Sequence, residues 1–177
     1  MVMNEWAEIL KYILPALLVL LLAYFLVVHF LRQERWQLAH ANTGERNKEW
    51  IQIKLQAYER IMLFLERINP EHLVVRLAGD YPDALSLQQA LLQSIRDEYE
   101  HNMVQQLYVS DAAWLAITDA RNQVVQLINE AARQTEKPAP APQLATRILQ
   151  LSMQAKEDPI ASAIKTIKND VREMMET

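Results

Sequence analysis

The chain has 177 residues, with 18 Lys plus Arg against 22 Asp plus Glu for a net charge of -4, 51% apolar residues, 7 Pro, 2 Gly and no Cys. Average glycine usage of about 7% would place roughly 12 in this length. Gly-rich phosphate loops, tight hairpins and a doubly wound nucleotide fold are therefore excluded, and an all-α chain is expected. Without Cys there is no disulfide framework, thiol catalysis or Cys-ligated metal, and the mildly acidic balance lacks the basic stripe that nucleic acid requires.

Residues 12–31, Tyr12 to Leu31, carry no Asp, Glu, Lys or Arg and are bracketed by Lys11 and Arg32. Twenty such residues make about 30 Å of helix, the thickness of a bilayer's hydrocarbon core, so a single transmembrane helix is expected. Pro15 falls in the first turn, where its missing N–H costs little. Trp6, Tyr12 and Trp36 suit the two interfaces, and His29 lies close enough to the end of the run to reach the headgroups. A cleaved signal peptide fits less well. The leader carries Glu5 and Glu8, the apolar run is long, and charges separate it from Ala39-His40-Ala41. Lys11 precedes the run, whereas Arg32, Arg35, Arg46 and Lys48 follow within 20 residues. That asymmetry puts the long C-terminal part on the cytoplasmic side and residues 1–11 outside as a short extracytoplasmic tail.

Residues 32–48 read as a polar juxtamembrane connector, with a possible break at Asn42-Thr43-Gly44. From Glu49, the recurrence of Ile51, Leu55, Tyr58, Met62 and Leu65 predicts a helix to Ile68. Ile61, Leu63, Phe64 and Ile68 widen its stripe beyond a coiled-coil seam, so a central bundle helix packed on several sides is expected. Asn69-Pro70 reads as the start of a short helix over 71–77 that closes at Gly79. Tyr81-Pro82-Asp83 forms a turn, and Ser86 with Gln89 has the pattern of a capping box. The helix that follows places Leu92, Ile95, Tyr99, Met103 and Leu107 on one face. Ser110-Asp111 starts another, carrying Trp114, Ile117, Val124, Val125 and Ile128. A helical bundle over 49–136 results.

The prolines at 138, 140 and 142 predict an extended spacer over 137–143. Beyond it, 144–177 holds two amphipathic helices, the first with Leu144, Ile148 and Leu151, the second opening at Asp158-Pro159. The narrow stripe of Ile160, Ile164, Ile167 and Val171 marks the last helix as one that needs a partner. Its cover is this chain's bundle, a second copy, another protein or the membrane surface. Helix-in-groove recognition makes these four residues the expected partner-binding set.

Glu98-x-x-His101 has a metal-like spacing, since residues three apart share a helix face and carboxylate plus imidazole suits iron, manganese or zinc. Di-metal bundles need two such pairs, and His40 and His72 have no acid three residues earlier. With Asp97 and Glu100 adjacent, a solvated acidic patch is the simpler reading. Glu59 with Glu66 and Arg60 with Arg67, seven apart beside the seam, read as flanking ion pairs or as charges that align a partner helix. No nucleophile-elbow sequence G-x-S-x-G occurs, and no catalytic residue or cofactor is implied.

The segment from Gln56 to Pro70, QAYERIMLFLERINP, followed by His72-Leu73 and Arg76, resembles a family of short bacterial membrane-anchored proteins with no assigned function. The likeness covers the apolar run and this stretch, less than half the chain. It implies a bacterial inner-membrane, single-pass protein with a cytoplasmic helical domain, and it brings no catalytic residues. The expected function is a membrane-anchored interaction or scaffold module, a subunit or regulator of a membrane-associated assembly, with the lipid bilayer and a protein partner or second copy as its contacts. The alternatives are a tethered metal-binding or enzymatic bundle using Glu98 and His101, and a sensor whose tail docks on or leaves the bundle.

Overall fold

The structure, a computed structural model, describes residues 17–30 and 47–176. The regular structure among them is helical: α1 (Val2–Ile68, of which 17–30 and 47–68 are described), α2 (Pro70–Leu77), α3 (Ala84–Asn102), α4 (Asp111–Gln134), α5 (Ala141–Gln154) and α6 (Pro159–Glu176), with a 3-10 turn at Met103–Leu107. The chain divides into two units, 1–50 and 51–177.

In the first unit the side chains of Leu17 to Leu22, Tyr24 to Val27 and Phe30 are each 47–69% exposed. Among the described residues no helix is long and apolar enough to cross a membrane. The expected span, residues 12–31, runs past their edges, because 12–16 and 31 lie outside them. The expected break at Asn42-Thr43-Gly44 and the interfacial positions Trp6, Tyr12 and Trp36 also lie outside the described residues.

In the second unit, short polar side chains fix where the helices begin. Asn69 Oδ1 accepts from the Glu71 N–H at 3.0 Å and Pro70 follows at the first helical position. Ser110 Oγ accepts from Ala113 N–H at 3.1 Å, and Asp158 Oδ1 from Ile160 N–H at 2.9 Å. At α3 the cap is Asp83, whose Oδ1 accepts from Ser86 N–H at 2.9 Å. The Ser86/Gln89 capping box is thereby corrected: the helix has already begun at Ala84, and Ser86 is the third residue of its first turn. Gly79 takes no positive φ, and the cap of α2 is Ala78 in right-handed geometry.

The core draws on every helix of this unit. The 51–68 stretch of α1 supplies Tyr58, Ile61, Phe64, Leu65 and Ile68, α2 Leu73 and Val74, and α3 Leu87, Leu91 and Ile95. Small residues (Ala113, Ala120 and Ala131 on α4, Ala141 on α5, Ala163 on α6) are buried where helices approach closely. The expectation that α1 is covered on several sides is corrected, since Leu63 is 61% and Ile53 42% exposed. The single long helix expected to reach Leu107 instead tightens after Asn102 into the 3-10 turn, leaving Met103 and Leu107 exposed.

The proline-rich segment does not separate the C-terminal helices from the bundle. Pro142 sits in the first turn of α5, where a missing N–H is harmless, so the helix begins at Ala141, inside the expected spacer. The preceding residues are bonded to the turn before α3: Ala84 N–H donates to the Ala139 carbonyl at 2.9 Å and Ala141 N–H to the Pro82 carbonyl at 3.2 Å. Leu144 and Ile148 are fully buried, α5 packs on α2, α3 and α4, and α6 packs chiefly on α4.

Candidate interaction surface

Between the 51–68 stretch of α1 and α6 runs an apolar groove of about 750 Å³. Leu55, Tyr58, Met62 and Leu63 form one wall, Ile167 and Val171 the other, with Glu59 on the α1 rim and Lys168 and Arg172 on the α6 rim. The spacing of 3.6 residues per turn accounts for this layout. Residues 55, 58, 59, 62 and 63 lie on adjoining strips of α1, as do 167, 168, 171 and 172 on α6, so each helix turns an apolar strip inward and sets a charge at its lip.

From Tyr58, one of the groove residues, a part-buried polar tie reaches α6 and the start of α4. Tyr58 Oη donates to Asp170 Oδ2 at 2.5 Å, and the Ser110 N–H donates to the same oxygen at 3.2 Å, joining α1, the start of α4 and α6. Burial, then the bond to Asp170 and its negative charge, push the Tyr58 phenol above its ordinary value. For Asp170 burial works in the opposite direction, but the bonds from Tyr58 and Ser110, with Lys54 nearby, hold its carboxyl below the usual range. The arrangement is a structural clamp: a phenol kept neutral and a carboxylate kept charged hold three elements in register.

A second, more polar cleft of about 760 Å³ lies between α1 and α3. Arg67 Nη1 pairs with Glu98 Oε1 at 2.8 Å across it, and Arg76 Nη2 donates to Ser94 Oγ at 3.2 Å. The metal-like pair lies in this cleft. Glu98 and His101 both line the cleft, but Glu98 is taken up by Arg67 and the His101 ring Nδ1 lies 2.7 Å from the Asp97 carbonyl. Among the described residues no three His, Asp or Glu side chains converge on a point that would hold a metal ion. Beside the cleft, Tyr99 stacks on Trp114 at 5.9 Å between ring centres, with the Arg121 guanidinium 4.2 Å from the Tyr99 centroid. The Nε of the same guanidinium is buried without a hydrogen-bond partner, so the ring contact is what Arg121 gains there.

The four residues expected to bind a partner are placed as follows. Ile160 and Ile167 are each 2% exposed in the core, and Ile164 and Val171 are half-buried against it. The separable docking helix is thus corrected: the apolar stripe of α6 is covered by the chain's own bundle. An amphipathic pattern records that a face must be covered and not by what. Of the four, Ile167 and Val171 also line the groove. The groove was missed from sequence because its two walls lie more than a hundred positions apart. Its one local signal was the charge flanking the seam at Glu59.

The fold and its surface define a class: an all-helical bundle protein with an apolar inter-helix groove, joined in sequence to a helix stretch that carries a run of exposed apolar side chains. The chain belongs to DUF7935, a family of unknown function, whose pattern matches residues 4–174. That match extends well beyond the N-terminal likeness, over the proline-rich segment, α5 and nearly all of α6. No curated protein and no solved structure matches the chain.

Proposed function

We propose that this protein is a bacterial inner-membrane, single-pass helical module whose C-terminal unit holds or regulates an assembly at the cytoplasmic face. One observation carries the reading: Leu17 to Leu22, Tyr24 to Val27 and Phe30 offer bulky apolar side chains that are each 47–69% exposed. Monomeric soluble proteins rarely leave apolar patches larger than a few hundred Å² uncovered. A covering protein would ordinarily meet one face, whereas lipid meets all of them. The uncharged run over 12–31 has the length for one crossing, and the Lys and Arg that follow it favour a cytoplasmic C-terminus. The groove between α1 and α6 gives the second unit an apolar surface rimmed by charge, which suits binding and assembly.

Sidedness tests the reading in a chain with no native Cys. With Asn4→Cys and Gln143→Cys introduced one at a time, an impermeant thiol reagent added to intact cells should label the first and spare the second. Labelling of the Gln143 site from outside would overturn the orientation, and equal protection of both until lysis would overturn the crossing itself.

A further inference from the structure

We infer that the groove between α1 and α6 is a self-association surface, filled by the same face of a second copy related by a two-fold axis that runs along the groove. The lining chemistry selects the occupant. Leu63, at the α1 lip, is 61% exposed although it borders apolar walls, so each copy carries both a protruding apolar ridge and a recess that receives one. Charge selects the orientation. Glu59 stands on the α1 lip, and Lys168 and Arg172 on the α6 lip. Among the described residues none of these three makes an ion pair within the chain. A two-fold axis along the groove exchanges the lips, setting the α1 lip that carries Glu59 and Leu63 against the other copy's α6 lip with Lys168 and Arg172. An axis across the groove would set Glu59 against Glu59 and the cations against each other, an arrangement of like charges that interfaces avoid. The surface is therefore self-complementary in one orientation, as a closed two-fold dimer requires.

That orientation keeps the two 51–68 stretches of α1 parallel, so both chains leave the dimer toward the same side. This is the geometry that two chains anchored in one membrane need, and in this respect the inference rests on the proposed anchor. Confinement to a membrane also raises the local concentration of one copy around another, so a modest contact suffices.

Disulfide trapping of the full chain in native membranes tests it. Co-expression of a Glu59→Cys chain with a Lys168→Cys chain, followed by mild oxidation, should give mainly the mixed 59-to-168 dimer. Adding Leu63→Arg should lower that product about tenfold, the equivalent of 1.4 kcal/mol, with the melting temperature unchanged because Leu63 is exposed. Three results would overturn the inference: predominant 59-to-59 and 168-to-168 products, no dimer from a folded membrane-bound chain, or trapping of the Glu59 site on a different protein. The membrane fraction of the same samples reports on the anchor separately. A pelleted chain without the mixed dimer fails the inference alone, and a mixed dimer in the soluble fraction fails the anchor alone.

Discussion

Replacing Tyr58 by Phe removes one oxygen and keeps the ring that fills the core. Asp170 Oδ2, which accepts from Tyr58 at 2.5 Å and from the Ser110 N–H at 3.2 Å, then loses its shorter bond. Hydrogen bonds to charged groups contribute about 1.5–3 kcal/mol. Asp170 is only half-buried and keeps the Ser110 donor, so the lower end applies, about 1.5 kcal/mol. In a unit of this size that lowers the melting temperature by roughly 5 °C. The pH dependence follows from the two shifts. The Asp170 carboxyl is held below its ordinary value, so its contribution is present above about pH 4 and is lost as pH falls through its folded value. The Tyr58 phenol is raised, so its contribution is present below about pH 10 and is lost as pH climbs above that. Urea unfolding of the full chain in detergent micelles, followed by helical circular dichroism from pH 3 to 9, should show a constant difference between wild type and Tyr58→Phe from about pH 5 upward that shrinks below pH 4. A difference near zero at neutral pH, or one indifferent to pH, would refute the clamp, as would additive effects of Tyr58→Phe and Asp170→Asn in a double-mutant cycle.

Deleting the residues after Pro142 should abolish cooperative unfolding of the second unit, because Leu144, Ile148, Ile160 and Ile167 are buried in the common core; a sharp transition retained by the shortened chain would show that the C-terminal helices are dispensable. Asp83→Ala should lower stability by about 1 kcal/mol through loss of the α3 cap, while Ser86→Ala, which leaves the Ser86 N–H in place, should cost less in the same urea titration. Glu98→Gln, which weakens a partly exposed pair with Arg67, should change stability by about 1 kcal/mol and leave metal content measured by mass spectrometry unaltered.

Much of the helix pattern was legible in the sequence because it is written locally. Asn69, Ser110 and Asp158 cap helices by bonding N–H groups two or three residues away, so their signals lie within a few positions of the ends they mark. The capping box at Ser86 misled because Asp83, three residues earlier, is an equally good cap and lies next to Pro82, where the chain is already extended. Pro142 misled because a proline in the first turn of a helix and a proline in a spacer look alike without knowing where the helix begins. Met103 and Leu107 fitted the spacing of α3, but periodicity does not register the tightening of the backbone after Asn102. The largest correction, the covering of α6 by α4, concerns which surface meets which, and amphipathic spacing is the same for a core helix and a docking helix. The Tyr58–Asp170 bond spans 112 positions and leaves only a general hint in the sequence, that a tyrosine inside an apolar seam needs a partner for its hydroxyl.

The most direct measurement is retention of the chain in membranes washed with alkaline carbonate and high salt, compared between wild type and Leu21→Arg/Phe25→Arg. Each Arg near the centre of a membrane helix costs about 2.5–3.5 kcal/mol on insertion scales. The wild-type chain should stay in the washed pellet while the double variant is lost from it. Release of the wild-type chain by the wash, or full retention of the double variant, would contradict a membrane-spanning role for this stretch.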